Sequence, residues 1–423
     1  MQKFGGAVIL MQSNLDNEID IEYLKKKVIF CLGSDTIVTN FDKIPALVPF
    51  SDEVIKLLDD FSKRLFKNPM SRNYPDIITL GFWCRKASVI DLKNRTLLQG
   101  FRLGRGVAFH IAPSNVAVNF AYSLIASLLA GNSNVVRLPS KHFEQVDIII
   151  DAFKAAMEEN IDMKDYVNLV KYERDKKIND IFSSICDVRV IWGGDNTIAT
   201  LRQSPIGSRT KEICFADRYA ICVINSDAYI NDNKFEELAK AFYNDTYLND
   251  QNACSSPKLV VWTGTKTEEA RVLFWTELKK ITKDNYQIGA VQVVGKLDAM
   301  YKYAAEAGKD VNPHNISCDV DNQINRVSVE KVEKQLMELE QNSGLFFEYV
   351  TNTLEDIAPV CNKKLQTVAV YGIDRTEIED FVRKVRPRGV DRVVSFGKTM
   401  DFALVWDGYD LIDEMSREIS INI

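Results

Sequence analysis

From about residue 107 the chain alternates short β-rich runs with helical patterns, and nothing else in it constrains the fold as strongly. Val107–Ala112 precedes a helical pattern over 116–130, and Val135–Leu138 one over 142–158. Val167–Lys171 then precedes a pattern over 175–185, and Val188–Trp192 one over 196–203. Strands spaced by amphipathic helices in this way predict βαβ units: a parallel sheet with helices on both faces. The pattern resumes past residue 218, with strands at Tyr219–Ile224 and Leu259–Trp262 and helices over 234–247 and 266–282. Two α/β sections predict two α/β domains. The expected division is 1–218 for N-terminal helices plus the first α/β domain and 219–387 for the second, with 388–423 returning to the first.

Upstream, Ser51 can cap a helix over 51–67 whose Val54, Leu57, Leu58, Phe61 and Leu65 share one face. Pro75 is placed to start another. The stretch from Arg386 to Asp410, with Pro387, Gly389, Gly397 and Gly408, reads as loop-rich.

Composition narrows the function. A length of 423 residues suits two or three domains, and 46% hydrophobic with 26% charged residues is ordinary globular usage. A net charge of −6 argues against a nucleic-acid partner. The eight cysteines form no CxxC pair, and the three histidines (His110, His142 and His314) are too few and too scattered for a zinc site, so no metal is expected. The apolar patch near the N-terminus, Ala7 to Met11, lacks a cationic flank and a cleavage site. Val116–Ala130 contains Asn119 and Ser123 and is shorter than the roughly 20 apolar residues that span a bilayer. These features lead to the expectation of a reduced, cytoplasmic protein without membrane insertion.

Four segments carry candidate chemistry, each with a plainer alternative. Cys254 lies in the polar loop Leu248–Pro257, where an exposed thiol can act as a nucleophile or a buried one can simply fill space. The Asn252 amide in the same loop can serve an acyl oxygen. Asn115, in the Pro-Ser-Asn turn after a strand, can aim its amide at an oxyanion or cap the following helix. Gly193-Gly194 follows a strand, as a nucleotide loop or an ordinary turn would. Glu355 can be a ribose ligand or an exposed acid. His110 reads as a core histidine with no catalytic role.

The order of these segments resembles the aldehyde dehydrogenase superfamily. The relevant strings are Gly106-Val-Ala-Phe-His-Ile-Ala-Pro-Ser-Asn115, Leu128-Leu-Ala-Gly-Asn-Ser-Asn-Val-Val-Arg-Leu-Pro-Ser140, Val190-Ile-Trp-Gly-Gly194, Gln251-Asn-Ala-Cys254 and Glu355 to Val360. Within it, Asp250-Gln-Asn-Ala-Cys-Ser-Ser-Pro257 and Leu80-Gly-Phe-Trp-Cys-Arg-Lys86 are similar to the LuxC-type acyl-CoA reductases. So is the tail, Gly389-Val-Asp-Arg-Val-Val-Ser-Phe-Gly397 through Val405-Trp-Asp-Gly-Tyr-Asp-Leu411. The resemblance implies an aldehyde dehydrogenase-like fold with a Rossmann-like cofactor domain and a catalytic cysteine domain. It implies Cys254 as the acyl-accepting nucleophile and Asn115, with the Cys254 amide, as the oxyanion hole. Ser114, Gly193, Gly194 and Glu355 become cofactor contacts.

Two departures from the superfamily bear on direction and cofactor. Where aldehyde-oxidising members carry a general-base glutamate, this chain reads Glu212-Ile-Cys-Phe-Ala-Asp-Arg218, so that Glu212 is a base only in one register. Acyl transfer between thiols needs no such base, which favours acyl reduction. Where the superfamily reads Lys-Pro-Ser-Glu, this chain has Leu138-Pro139-Ser140-Lys141 after Arg137. Arg137, Ser140 and Lys141 can pair with a 2′-phosphate, so NADPH is expected ahead of NADH. The expected activity is NADPH-dependent reduction of an acyl thioester, from acyl-CoA or a partner enzyme resembling an acyl-protein synthetase, to an aldehyde. The alternatives are an oxidising aldehyde dehydrogenase with Glu212 as base and an inactive member with a structural role. By family analogy a homo-oligomer is expected.

Overall fold

The computed structural model describes residues 20–96, 98–113, 116–307, 316–339 and 342–423. They divide into two compact units, Met1–Phe215 with Leu411–Ile423, and Ala216–Asp410.

The first unit is built on β1 (Ile29–Leu32), β2 (Phe101–Gly104), β3 (Val107–Ile111), β4 (Ser133–Arg137), β5 (Val167–Lys171), β6 (Val188–Trp192) and β7 (Lys211–Phe215). Six of these form one sheet in the order β1-β5-β4-β3-β6-β7, in which β1 is antiparallel and the rest are parallel. Strands β3 and β6 are buried along their whole length, as parallel strands covered on both faces must be. β2 pairs instead with the terminal strand Ser416–Ile419. The expected face of the helix Asp52–Lys67 is buried: Val54, Leu57, Leu58, Phe61 and Leu65 have no exposed surface. Phe61 stacks on Phe153 of the helix Glu144–Glu158, with ring centroids 4.0 Å apart.

The second unit contains β8 (Tyr219–Asn225), β9 (Pro257–Thr263), β10 (Ile316–Cys318), β11 (Asn325–Val329), β12 (Leu345–Val350), β13 (Leu365–Tyr371) and β14 (Arg392–Ser395). Their order is β10-β11-β12-β9-β8-β13-β14, parallel except for β10. A hairpin of β15 (Val405–Trp406) and β16 (Tyr409–Asp410) completes it. In the sheet's interior the Glu348 carboxylate, 1% exposed, accepts from the indoles of Trp262 (3.1 Å) and Trp275 (2.7 Å). The guanidiniums of Arg271 and Arg326 complete its partners, so this buried charge is fully compensated.

The return to the first unit comes later than residue 388. Residues 392–395 pair in register with β13, Thr367 opposite Arg392 and Val370 opposite Ser395, which keeps this stretch in the second unit. Leu411–Ile423 is the part that belongs to the first, through pairing with β2. The stretch read as loop-rich therefore contains three short strands.

Candidate active site

Cys254 lies three residues before β9, in the loop between the helix Phe235–Thr246 and that strand. That loop is unusual in its backbone. Asp250 and Gln251 both take left-handed φ values, 51° and 57°, which cost a non-glycine residue free energy and need external support. Gln251 supplies it: its buried side chain donates to the carbonyls of Pro257 (2.8 Å) and Leu345 (3.3 Å) and accepts from the Gly344 amide (2.9 Å). Lys258 donates to the Gln251 carbonyl at 2.6 Å. Asn252 has its donor committed within the loop, to the Asn249 carbonyl at 3.0 Å, and its oxygen to Asn342 at 2.6 Å. The arrangement holds Cys254 in a fixed, half-buried position.

Because β8, β9, β13 and β14 are parallel, their first residues share one edge of the sheet. Arg218 immediately precedes β8, Ser256 immediately precedes β9, Gln366 is the second residue of β13, and Arg392 opens β14. Two register slips sit at this edge. Leu365 and Thr367 lie opposite the consecutive pair Tyr219 and Ala220, so Gln366 is an extra residue; Lys258 is extra in the same way between β9 and β8. Such bulges turn a side chain away from the alternation of the strand.

The hairpin β15–β16 adds an acid. Its two-residue loop, Asp407-Gly408, has positive φ at both positions (51° and 78°), the conformation that suits the twist of a tight hairpin and that Asp-Gly adopts readily. The turn leaves Asp407 8% exposed, where its carboxylate accepts from the Gln366 amide, itself fully buried. Arg218 is 3.9 Å from Asp407 and 2.5 Å from Asp391. Arg392 lies over the Trp406 ring, 4.1 Å from its centroid, and donates to the carbonyls of Thr399 and Asp401, each at 3.1 Å.

These groups set the state of the thiol. Burial, reinforced by the Asp407 charge, pushes Cys254 up to about 12, against the opposing effects of Arg218 and of a hydrogen bond from Gln366. Asp245, buried at the end of the helix Phe235–Thr246, is raised to about 6 by burial although it accepts from the amides of Gly397 (2.7 Å) and Thr399 (3.1 Å). Arg218, Gln366, Arg392 and Asp407 were not singled out from the sequence. The last two fall within the C-terminal strings that carry the resemblance, which was the available signal.

The cofactor candidates other than Glu355 are in the first unit, at the carboxyl ends of its central strands, whereas Glu355 belongs to the second. The sheet order reverses at β3: β4 and β5 lie on one side, β6 and β7 on the other. Open α/β sheets bind ligands at such a reversal. Gly193 and Gly194 follow β6 there, and a Cβ on Gly194 would meet nothing within 4 Å, so the backbone is open to close approach. These residues fit a dinucleotide. Ser114 and Asn115 lie outside the described residues. Ser140 and Lys141 follow β4 and are exposed. Arg137 is half-buried, with its guanidinium 4.5 Å from the Tyr172 ring centroid and donating to the Tyr172 carbonyl at 3.3 Å. His110 is fully buried between Ser123 (2.8 Å) and Asn134 (3.0 Å), and burial lowers it to about 4.

Two expected carboxylates have partners that define them differently. Glu212, on β7, is bound by Arg189 and by Arg202 at 2.7 Å. Burial raises its pKa, but the hydrogen bonds from Arg202 and Arg189 outweigh that and leave it below the ordinary value. A carboxylate so engaged is a poor proton acceptor, and the geometry does not fit a general base. Glu355 is held to about 2 by the Thr353 hydroxyl and by Lys384 at 2.9 Å. A ribose hydroxyl there would share the carboxylate with Lys384.

Residues 96–286 match the family model for acyl-CoA reductase (LuxC). The chain is similar in structure to the NAD-dependent benzaldehyde dehydrogenase of Corynebacterium glutamicum, with 15% identity, coverage of 86% of this chain and 84% of that one, and a TM-score of 0.61. It is similar to aldehyde dehydrogenase 21 of Physcomitrella patens, solved with succinate (11% identity, 90% and 88% covered, TM-score 0.65). It is also similar to the indole-3-acetaldehyde dehydrogenase AldA of P. syringae, solved with NAD+ (12% identity, 93% and 92% covered, TM-score 0.62). At these identities the likeness establishes a fold, that of the aldehyde dehydrogenases. No curated protein sequence matches at a significant level. Among the described residues no helix is long and apolar enough to cross a membrane.

Proposed function

We propose, from a chain whose residues 96–286 belong to the acyl-CoA reductase (LuxC) family and whose fold is that of the aldehyde dehydrogenases, that the protein reduces an acyl thioester to an aldehyde at Cys254. The observation that carries this reading is the setting of Cys254: a half-buried thiol in a turn braced by Gln251 and Lys258, ahead of the strand β9.

Cys254 sulfur attacks the acyl carbonyl carbon. A new carbon–sulfur bond forms, the bond to the donor thiol breaks, and that thiol leaves with the proton lost by Cys254. Donor and acceptor are both thiols, so no water needs activating and no general base is called for. Arg218 and Arg392 stabilise negative charge at the sulfur as it develops. Asn115 and the Cys254 amide are the proposed donors to the oxyanion, each worth on the order of 3–4 kcal/mol in acyl-transfer sites. NADPH, when bound, supplies the hydride that reduces the acyl group to the aldehyde and frees Cys254. Gly193, Gly194, Ser114 and Glu355 are its proposed contacts, with Ser140 and Lys141 at the 2′-phosphate. The acyl donor is acyl-CoA or an acyl group delivered by a carrier enzyme.

The engagement of Glu212 by two arginines supports this direction over aldehyde oxidation, which requires a base to activate water. The test is mass spectrometry after incubation with a long-chain acyl-CoA in the absence of nucleotide. An acyl adduct on the Cys254 peptide, and loss of both adduct and NADPH oxidation in Cys254→Ala, is the expected result. Undiminished NADPH oxidation in Cys254→Ala overturns the proposal.

A further inference from the structure

We infer that Ser123 and His110 are positioning residues for the nucleotide: with Asn134 they form a hydrogen-bonded row that pins the Trp192 indole and so sets the path of the chain into Gly193-Gly194. The inference rests on the reading of those two glycines as cofactor contacts and adds what holds them in place.

The row follows from strand register. Asn134 lies two residues before Val136, the partner of His110 on β4, and Trp192 lies two residues after Val190, the partner of His110 on β6. Side chains alternate along a strand, so Asn134, His110 and Trp192 point to one face of the sheet. The helix Asn119–Leu129, which packs on β3 and β4, brings Ser123 to the same face. All four residues are buried.

Every proton in the row has one place to go. Asn134 spends its NH2 on the carbonyls of Asn132 (2.8 Å) and Tyr166 (3.1 Å), so the atom it turns to His110 Nε2, 3.0 Å away, is its acceptor oxygen. His110 Nε2 therefore carries the ring proton. Burial keeps the ring neutral, which leaves Nδ1 as an acceptor, and the Ser123 hydroxyl donates to it at 2.8 Å. With its proton committed, Ser123 Oγ can only accept from its other neighbour, and Trp192 Nε1, which can only donate, lies 3.1 Å away. His110 thus decides which way the serine hydroxyl points, and the serine decides where the indole N–H goes.

Trp192 passes this hold to the loop. It is the last residue of β6, directly before the two glycines. Phe215 lies opposite it on β7, with the two rings stacked and their centroids 3.7 Å apart, and the Phe215 carbonyl accepts from the Gly193 amide at 3.1 Å. A pair of glycines has no side chain to anchor it and a wide choice of backbone conformations, so its course is set by what holds the residue before it.

The experiment is the dissociation constant of NADPH and of NADH, measured by calorimetry on the full chain without acyl substrate. Ser123→Ala removes both bonds of the hydroxyl, and Trp192→Phe keeps an aromatic ring but loses the N–H. Each is expected to weaken both nucleotides alike, by about 3- to 10-fold, the range that loss of a neutral hydrogen bond produces. Ser123→Thr restores the hydroxyl and should bind within about twofold of the parent. The acyl adduct on Cys254, formed without nucleotide, should be as in the parent in all three. If circular dichroism shows that Ser123→Ala does not fold, Trp192→Phe, which leaves the Ser123–His110 pair intact, carries the test. Dissociation constants within about twofold of the parent in the folded Ala and Phe variants, even with a lowered urea midpoint, overturn the inference, because the row then only supports the fold. Binding by Ser123→Thr as weak as by Ser123→Ala overturns it too. A parent chain that binds neither nucleotide removes the reading it rests on and the inference with it. NADPH oxidation that survives in Cys254→Ala removes the acyl mechanism and leaves this inference standing.

Discussion

Arg189 clasps Glu212 across adjacent strands: Arg189 Nε lies 2.9 Å from Glu212 Oε2, and β6 and β7 set the two residues opposite each other. The same guanidinium donates to the Ser204 carbonyl at 2.7 Å and to the Ser183 hydroxyl at 3.2 Å, so it is fully used in tying the helices Lys176–Ile185 and Asp195–Leu201 to the sheet. Arg189 is 2% exposed, and a buried cation without its carboxylate is costly.

Replacing Glu212 by Gln is therefore expected to lower unfolding free energy by on the order of 3 kcal/mol, the cost of breaking a largely buried pair. Because the folded pKa of Glu212 lies below its ordinary 4.5, its contribution is complete above that value and is lost as pH falls through the folded pKa. Urea unfolding of parent and variant at neutral and acidic pH checks this: the difference should shrink on acidification. Turnover of acyl thioester by the folded variant should persist, and its abolition would return Glu212 to the chemistry.

His110 makes the complementary prediction at the other sign of charge. It is buried and neutral, lowered to about 4 from an ordinary 6.5. The unfolded chain then binds a proton that the folded protein refuses, so stability is complete above about pH 6.5 and declines toward pH 4, by about 3 kcal/mol over the interval. His110→Gln, which has no titratable ring, should flatten that part of the curve. Equal pH dependence in the variant and parent would exclude His110 as its source.

How much of this was legible in the sequence depended on the distance over which a pattern acts. The strands Val167–Lys171 and Val188–Trp192 agree with the reading residue for residue, although Asn168 and Arg189 interrupt them, because each is followed by a helical pattern in a regular strand–helix alternation that the chain itself displays. Strands β11 to β13 escaped notice: Gln366 and Thr367 inside β13, and Glu348 inside β12, interrupt the apolar run with polar side chains whose partners lie elsewhere in the fold. The loop around Cys254 was recognisable from its residues, whereas its neighbours were not. Arg218, Gln366, Arg392 and Asp407 are spread over nearly half the chain and meet only because parallel strands begin at one edge. Asp407 and Arg392 stood in a recognised string, yet no local rule links that string to a cysteine before β9.

The hairpin that carries Asp407 depends on Gly408. Its φ of +78° is a conformation that costs other residues roughly 1–2 kcal/mol, and a Cβ there would lie 3.0 Å from Asp391 Oδ1. Gly408→Ala should lower the urea midpoint correspondingly at unchanged m. It should also change the rate at which iodoacetamide labels Cys254, since the turn places the Asp407 carboxylate. A stability loss with Cys254 labelling as in the parent would mean that the hairpin and the thiol are independent.

The choice between NADPH and NADH is proposed to lie with Lys141. Its side chain is exposed after β4, and its ammonium lies 5.2 Å from the Phe143 ring centroid, an interaction that leaves it available to a phosphate. Arg137 is differently placed: stacked on Tyr172 and donating to that residue's carbonyl, it has part of its donor set already committed. Lys141→Glu replaces a cation by an anion next to the expected 2′-phosphate. The KM for NADPH should rise about tenfold or more, with the KM for NADH changed little, because charge-assisted contacts to phosphate are among the stronger hydrogen bonds and like charges repel. Arg137→Gln should have the smaller effect on NADPH and a larger one on thermal stability, through loss of its packing on Tyr172. Steady-state kinetics with both nucleotides, on variants first shown to fold, decides between them. Equal changes for NADPH and NADH in Lys141→Glu would place the 2′-phosphate elsewhere.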